Sequence, residues 1–297
     1  MPDWKGVIPA IVTPMSHDGN RVDHGALRDY CDFMVERGVQ GIFCCGTTGE
    51  GPVLSISERR EVAETIVSHV NKRIKVIVQT GYITTEGSVE LTVHSHRIGA
   101  DAAGVVFPYY YHLSDDILYR HFLDIAEAVP GFPIFIYNIP QYTGNNLSLE
   151  LFEKLLAKVE NVVGVKNSSA DMLYMMELLQ RAKGRCSVFV GNDGLILPAL
   201  CAGANGIVSG NASAFPEPFL DIYRAFVNGD LKTALEKQLF IDKLRKVLAS
   251  GRDVETFKKA LEFRGFRAGG VRPPNRNLTE DEEETLKKSL KGLGLFS

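Results

Sequence analysis

Lys166 ends the apolar run Val162-Val163-Gly164-Val165, and polar Asn167-Ser168-Ser169 follows it. A cation at the mouth of an apolar strand loses hydration, which pushes its amine towards the neutral, nucleophilic form. Such an amine attacks carbonyl carbons and forms a Schiff base. The same residue reads equally well as a lysine that snorkels from a strand end into solvent. Its neighbours have to decide.

Several other polar groups sit at the ends of apolar runs. Gly46-Thr47-Thr48-Gly49-Glu50-Gly51 offers paired hydroxyls and glycine-supported backbone N–H groups that suit a carboxylate, or else is a plain glycine-rich turn. Tyr137, before Asn138-Ile139-Pro140, places a phenol where it could shuttle protons beside an amine, although a rim tyrosine is also ordinary amphipathic packing. Pro108-Tyr109-Tyr110-Tyr111 carries the same two readings. The turns Gly191-Asn192-Asp193-Gly194 and Gly203-Ala204-Asn205-Gly206 could bind phosphate, yet no lysine or arginine lies between Arg185 and Arg224. They read as close backbone approach to an uncharged or singly charged ligand. His94-x-His96 is the one suggestive metal pair, but i and i+2 do not share a helix face, so both read as surface residues and no metal is expected.

The elements that must position these groups alternate along the chain. Short β-rich runs cover Val7–Thr13, Gly41–Cys45, Lys75–Thr80, Ala102–Phe107, Ile134–Tyr137, Val162–Lys166, Ser187–Val190 and Gly206–Ser209. Most are apolar throughout, as strands covered on both faces must be. Amphipathic helices lie between them: Leu27, Tyr30, Cys31, Met34 and Val35 form one stripe closed by Gly38, and Leu118, Phe122, Ile125 and Val129 form another. Ser55-x-x-Glu58 and Thr279-x-x-Glu282 are capping boxes. Eight strands, each followed by a helix, predict an α/β fold of the (β/α)8 TIM-barrel type over residues 1–228, with a C-terminal helical extension over 229–297 packed on it. The active site of such a barrel lies at the C-terminal strand ends, so Lys166 points into the mouth while Lys75, which starts its strand, belongs at the bottom.

Composition bounds the partners. The chain has 297 residues, 45% hydrophobic and 23% charged, with a net charge of −3, a balance with no footprint for nucleic acid or an anionic membrane. No segment has the length of a membrane span, and the Met1-Pro2-Asp3-Trp4-Lys5 start lacks the pattern of a signal peptide. Five cysteines without a C-x-x-C read as buried free thiols in a reducing cytoplasm.

Taken in order, Gly46-Thr47-Thr48-Gly49-Glu50, Pro108-Tyr109-Tyr110, Tyr137-Asn138-Ile139-Pro140, Gly164-Val165-Lys166 and Gly206-Ile207-Val208-Ser209 resemble the dihydrodipicolinate synthase / N-acetylneuraminate lyase family of class I aldolases, over nearly the whole chain. The resemblance implies that Lys166 is the Schiff-base lysine and Tyr137 the proton relay. It implies that Thr47 and Thr48 hold the pyruvate carboxylate and link that relay, and that the Val208 carbonyl lies near bound pyruvate. Tyr110 matches a tyrosine that in many members reaches in from the neighbouring subunit. It also implies a homotetramer built as a dimer of dimers, working without a cofactor on pyruvate and an aldehyde.

Two departures bear on the aldehyde. Dihydrodipicolinate synthases usually carry an arginine shortly after the tyrosine, where this chain has Tyr142, and a phenol supplies no cationic fork. Sialic acid lyases favour an acidic pair at the segment that here reads Asn192-Asp193-Gly194, so one carboxylate is missing. The expectation is therefore a lyase of 2-keto-3-deoxy sugar acids, with Asp193, Ser168, Tyr142 and the Gly191 turn contacting substrate. The alternatives are 4-hydroxy-tetrahydrodipicolinate synthase (pyruvate plus aspartate-semialdehyde), a keto-deoxy sugar acid dehydratase, and a non-catalytic 2-keto-acid-binding barrel.

Overall fold

The computed structural model describes residues 4–249 and 253–296. Its eight parallel strands are β1 (Gly6–Pro9), β2 (Gly41–Cys44), β3 (Lys75–Gln79), β4 (Ala102–Val106), β5 (Ile134–Asn138), β6 (Val162–Asn167), β7 (Ser187–Val190) and β8 (Gly206–Ser209). Each pairs with its sequence neighbour and β1 pairs with β8. The last gap, between β1 and β2, is closed by an Ala10–Phe43 bridge and by two backbone hydrogen bonds, Gln40 N to Val7 O and Ile11 N to Phe43 O, each 3.0 Å. The predicted (β/α)8 barrel is what forms.

Helices α1 (His24–Glu36), α2 (Ile56–Val70), α3 (Thr85–Arg97), α4 (Asp115–Glu127), α5 (Pro140–Thr143), α6 (Leu149–Lys158), α7 (Met172–Ala182), α8 (Ile196–Cys201) and α9 (Pro216–Val227) alternate with the strands. Three more follow: α10 (Leu231–Val247), α11 (Val254–Phe263) and α12 (Glu280–Gly292). Both capping boxes form, at Ser55 and at Thr279, each satisfying backbone donors that the helix start leaves unpaired. We place the boundary between barrel and extension in the Asn228–Asp230 turn. The expected spans 1–228 and 229–297 also take in Met1–Asp3, Ser250–Arg252 and Ser297, which lie outside the described residues.

Two apolar layers hold the barrel. Outside, the strands bury against the helices. Inside, Trp4, Ile8, Phe43, Ile77, Phe135, Phe189 and Val208 fill the lumen beneath Tyr137. Trp4 packs edge-on to Phe135 at 5.1 Å and plugs the bottom, with the Lys75 amine 5.7 Å over its ring. The large rings need small partners. A Cβ on Gly104 would stand 2.5 Å from the Phe43 ring, and one on Gly164 2.4 Å from that of Phe135. Each buried ring contributes about 2–3 kcal/mol, so a side chain at either glycine would cost packing twice over.

Three expectations need correction. The first strand ends at Pro9 rather than Thr13, because the chain beyond it passes from β8 to β2 to close the barrel: Ala10 N bonds to Ser209 O, and Ile11 N to Phe43 O. The apolar pattern continues, but the ladder to a single neighbour does not. His94 is not a surface residue; it is buried with Nε2 2.7 Å from Glu64, while His96 is exposed against Phe132. Of the cysteines, Cys31, Cys44 and Cys45 are buried and free as expected, whereas Cys201 is exposed. Among the described residues no helix is long and apolar enough to cross a membrane.

Candidate active site

The mouth of the barrel opens into a cavity of about 810 Å³ at the C-terminal strand ends. Lys166 and Tyr137 occupy paired positions on β6 and β5, so both side chains point into the lumen at one level. The Lys166 amine lies 3.6 Å from the centroid of the Tyr137 ring and 4.6 Å from that of Phe43. Lys166 is 5% exposed and, among the described residues, its amine has no carboxylate partner. With no carboxylate to hold it in an ion pair, the amine is free to reach a carbonyl carbon in the cavity.

The tyrosine hydroxyl reaches the turn after β2, with Tyr137 OH 3.3 Å from Thr47 Oγ1. That turn is closed by Gly51 N to Gly46 O and braced by Thr13 Oγ1 on Gly49 O. Glu50 adopts φ +58° and turns its carboxylate away from the cavity to meet Lys258 of α11. Thr48 is buried against Gly210, where a Cβ would stand 2.7 Å from its hydroxyl. Val208 of β8 lines the same wall.

The opposite wall is built from the ends of β6 and β7. Asn138 and Asn167, paired across β5 and β6, bond to each other at 3.0 Å and fix the loops leaving both strands. Ser168 donates its N–H to Asn138 O at 2.8 Å and lines the cavity. Gly191 is what admits it, since a Cβ there would stand 2.2 Å from Ser168 Oγ. Asp193 is buried; its Oδ2 accepts from Ser209 Oγ at 2.7 Å and from Asn211 Nδ2 at 2.5 Å, while Oδ1 has no partner. Burial pushes its carboxyl up, against the pull of those two donors.

The cavity thus gathers Lys166, Tyr137, Thr47, Thr48, Val208, Gly191, Asp193, Ser168 and Tyr142. Tyr142 is half exposed at the rim, on the short helix α5. Tyr110 is not among the lining residues. It stands 82% exposed at φ +85°, a backbone region that costs a non-glycine residue about 1–2 kcal/mol. Sequence reasoning missed Asn211 and, above all, Arg245, a cavity residue contributed by α10. Gln238 and Arg245 are seven residues apart on that helix and share a face, but nothing in that spacing says which strand end the face covers.

Fold and cavity together define a (β/α)8 barrel with a lysine amine and a phenol in its mouth, the arrangement of the imine-forming aldolases. The chain belongs to the Dihydrodipicolinate synthetase family, whose model matches residues 3–293 and whose members are carbon–carbon lyases that form a Schiff base with pyruvate. It is 35% identical to a 4-hydroxy-tetrahydrodipicolinate synthase of Methanopyrus kandleri, over 98% of this chain and 97% of the relative. Among solved structures, YagE of E. coli K12 in complex with pyruvate superposes with a TM-score of 0.94 at 27% identity, covering 99% of both chains. A catalytic lysine mutant of Ruminococcus gnavus sialic acid aldolase also gives 0.94 at 27% identity, covering 99% of this chain and 97% of the other.

Proposed function

We propose that this enzyme joins pyruvate to an aldehyde through an imine on Lys166, and that the aldehyde is aspartate-semialdehyde, making it a 4-hydroxy-tetrahydrodipicolinate synthase. The contact between the Lys166 amine and the Tyr137 ring, with the phenol hydroxyl 3.3 Å from Thr47, carries the chemistry. The neutral amine attacks the keto carbon, and loss of water gives the protonated imine, an electron sink. Loss of a methyl proton then leaves an enamine, whose carbon attacks the aldehyde. Tyr137 delivers the proton that the new alkoxide needs, and Thr47 holds the phenol in line for it. The amine of aspartate-semialdehyde then displaces the Lys166 amine from the imine carbon, which closes the ring, frees the lysine and leaves one water lost overall. With an aldehyde that lacks an amine, water frees the lysine instead, and in reverse that sequence is a lyase. Thr47 and Thr48 orient the pyruvate carboxylate, beside the Val208 carbonyl. The pyruvate bound by YagE and the catalytic lysine of the sialic acid aldolase support this reading.

This choice of aldehyde takes up the alternative rather than the expectation drawn from Tyr142. The name of the Methanopyrus relative supports the synthase over a sugar acid lyase. A lyase of 2-keto-3-deoxy sugar acids stays as the second reading, on the neutral rim that Gln141, Tyr142, Asn146 and Ser168 present to hydroxyls. We further propose a cytoplasmic homotetramer in which the exposed, strained Tyr110 enters a neighbouring subunit's site.

The test is incubation with pyruvate and borohydride, then intact mass and peptide mapping. A reduced pyruvyl adduct on Lys166, absent in Lys166→Ala, is the expected result. An adduct that persists in that variant sinks the assignment. Coupled assays with aspartate-semialdehyde and with a 2-keto-3-deoxy sugar acid then decide the partner.

A further inference from the structure

Arg245 lies outside the barrel's own strands and loops, yet it faces the cavity. Among the described residues, the cavity is lined by two cations, Lys166 and Arg245, and by two carboxylates, Asp171 and Asp193. Lys166 is consumed by the imine. Asp171 accepts from Tyr174 N as the cap of α7, and Asp193 is held by Ser209 and Asn211. Arg245, by contrast, meets Asp242 only at a long 3.8 Å among the described residues, feels the Asp193 carboxylate without a hydrogen bond to it, and keeps 31% of its side chain exposed. Its fork is thus open to a ligand.

Its position is built rather than incidental. Gln238, on the same face of α10, donates to Asp193 O at 2.8 Å and accepts from Leu197 N at 2.9 Å, which pins the helix to the turn after β7. The guanidinium then occupies the space over Gly194, where a Cβ would stand 2.4 Å from Nη1. Gly194 has no left-handed φ that would call for glycine. What its missing side chain provides is room for Arg245.

From this geometry we infer that Arg245 receives the far carboxylate of the aldehyde substrate, reaching it from the β7 side of the mouth, while the loop after β5 presents the uncharged Gln141, Tyr142 and Asn146. The inference rests on the proposed condensation and names its second substrate as an aldehyde that carries a single carboxylate. A guanidinium meets a carboxylate with two parallel hydrogen bonds, a match that neither an amide nor a phenol can make. One loosely paired guanidinium suits one carboxylate and leaves the charge of a phosphate dianion unmet.

Steady-state kinetics with aspartate-semialdehyde and pyruvate, each varied in turn, test it in the wild type, Arg245→Ala, Arg245→Lys and Gly194→Ala. Loss of a hydrogen-bonded charge partner is expected to raise KM for the aldehyde about 10- to 100-fold in Arg245→Ala, well beyond any change in KM for pyruvate. Arg245→Lys keeps the charge without the fork and should fall between; Gly194→Ala, which displaces the guanidinium, should follow Arg245→Ala. Equal changes in both KM values, or none, would overturn the role. A wild type that forms the Lys166 adduct but accepts only uncharged aldehydes overturns the inference and leaves the imine reading standing. A wild type that forms no adduct overturns both.

Discussion

Glu50 and Lys258 form an ion pair at 2.5 Å with both side chains almost wholly removed from water. Glu50 closes the turn that carries Thr47 and Thr48, and Lys258 belongs to α11, so the pair ties the site to the C-terminal helices. The second carboxylate oxygen accepts from Arg272 N at 2.7 Å, and the ammonium also donates to Gly270 O at 2.6 Å. Burial pulls the Lys258 amine down while Glu50 pulls it back up. Taking one partner away leaves a buried charge uncompensated. Lys258→Met should therefore cost about 3–5 kcal/mol in urea unfolding, and adding Glu50→Gln should recover part of that loss. A single change that leaves the midpoint where it was would show the pair to be dispensable.

Tyr137→Phe isolates the hydroxyl from the ring. The ring that faces the Lys166 amine remains, while the bond to Thr47 is lost. Turnover should fall about 100-fold or more, with the pyruvate adduct still forming on Lys166. Thr47→Val should lower kcat less, because it leaves the phenol in place but unanchored. Rates within twofold of wild type in Tyr137→Phe would remove the phenol from the proton path.

Gly191 and Ser168 share one space. A Cβ at 191 would meet the Ser168 hydroxyl at 2.2 Å, and the φ of Gly191 is one that any residue adopts. Gly191→Ala should thus raise substrate KM by displacing Ser168 while costing only about 1 kcal/mol of stability. The double variant with Ser168→Ala should not add to it, since the collision is then gone. Additive losses in that cycle would place the two residues in separate roles.

His121 sets an acid limit on stability. Burial pulls its imidazole down to about 4, against a weaker push from Asp124, and its Nδ1 pairs with Thr85 at 2.9 Å. Between that value and the ordinary 6.5, the unfolded chain takes up a proton that the folded chain refuses. Stability is complete above 6.5 and falls as pH drops towards 4, by about 3.5 kcal/mol at about 1.4 kcal/mol per pH unit. His121→Gln should flatten that part of the profile; an unchanged slope in urea midpoints between pH 7 and 4 would assign the acid loss elsewhere.

Much of this was legible before the fold. The apolar runs and helical stripes announced eight strand–helix units, and residues that end strands became mouth residues by the barrel rule, as Lys166, Tyr137, Thr47 and Val208 did. Where one strand serves two neighbours, as beyond Pro9, hydropathy could not mark the end of the ladder. His94 was misplaced because its partner, Glu64, comes from another helix.

What the sequence by itself determined is whatever depends on neighbours along the chain: strand and helix periodicity, capping boxes, and the polar groups that terminate buried strands. Closure of the sheet then fixed which of those groups face one another. The tertiary structure alone decided that α10 lies across the turn after β7, bringing Arg245 to the cavity over Gly194, and that Lys258 of α11 neutralises Glu50 beneath the threonine turn. Both are contacts between segments far apart in sequence, made by helices beyond the barrel's own count. A helix period says which residues share a face, and only packing says what that face meets.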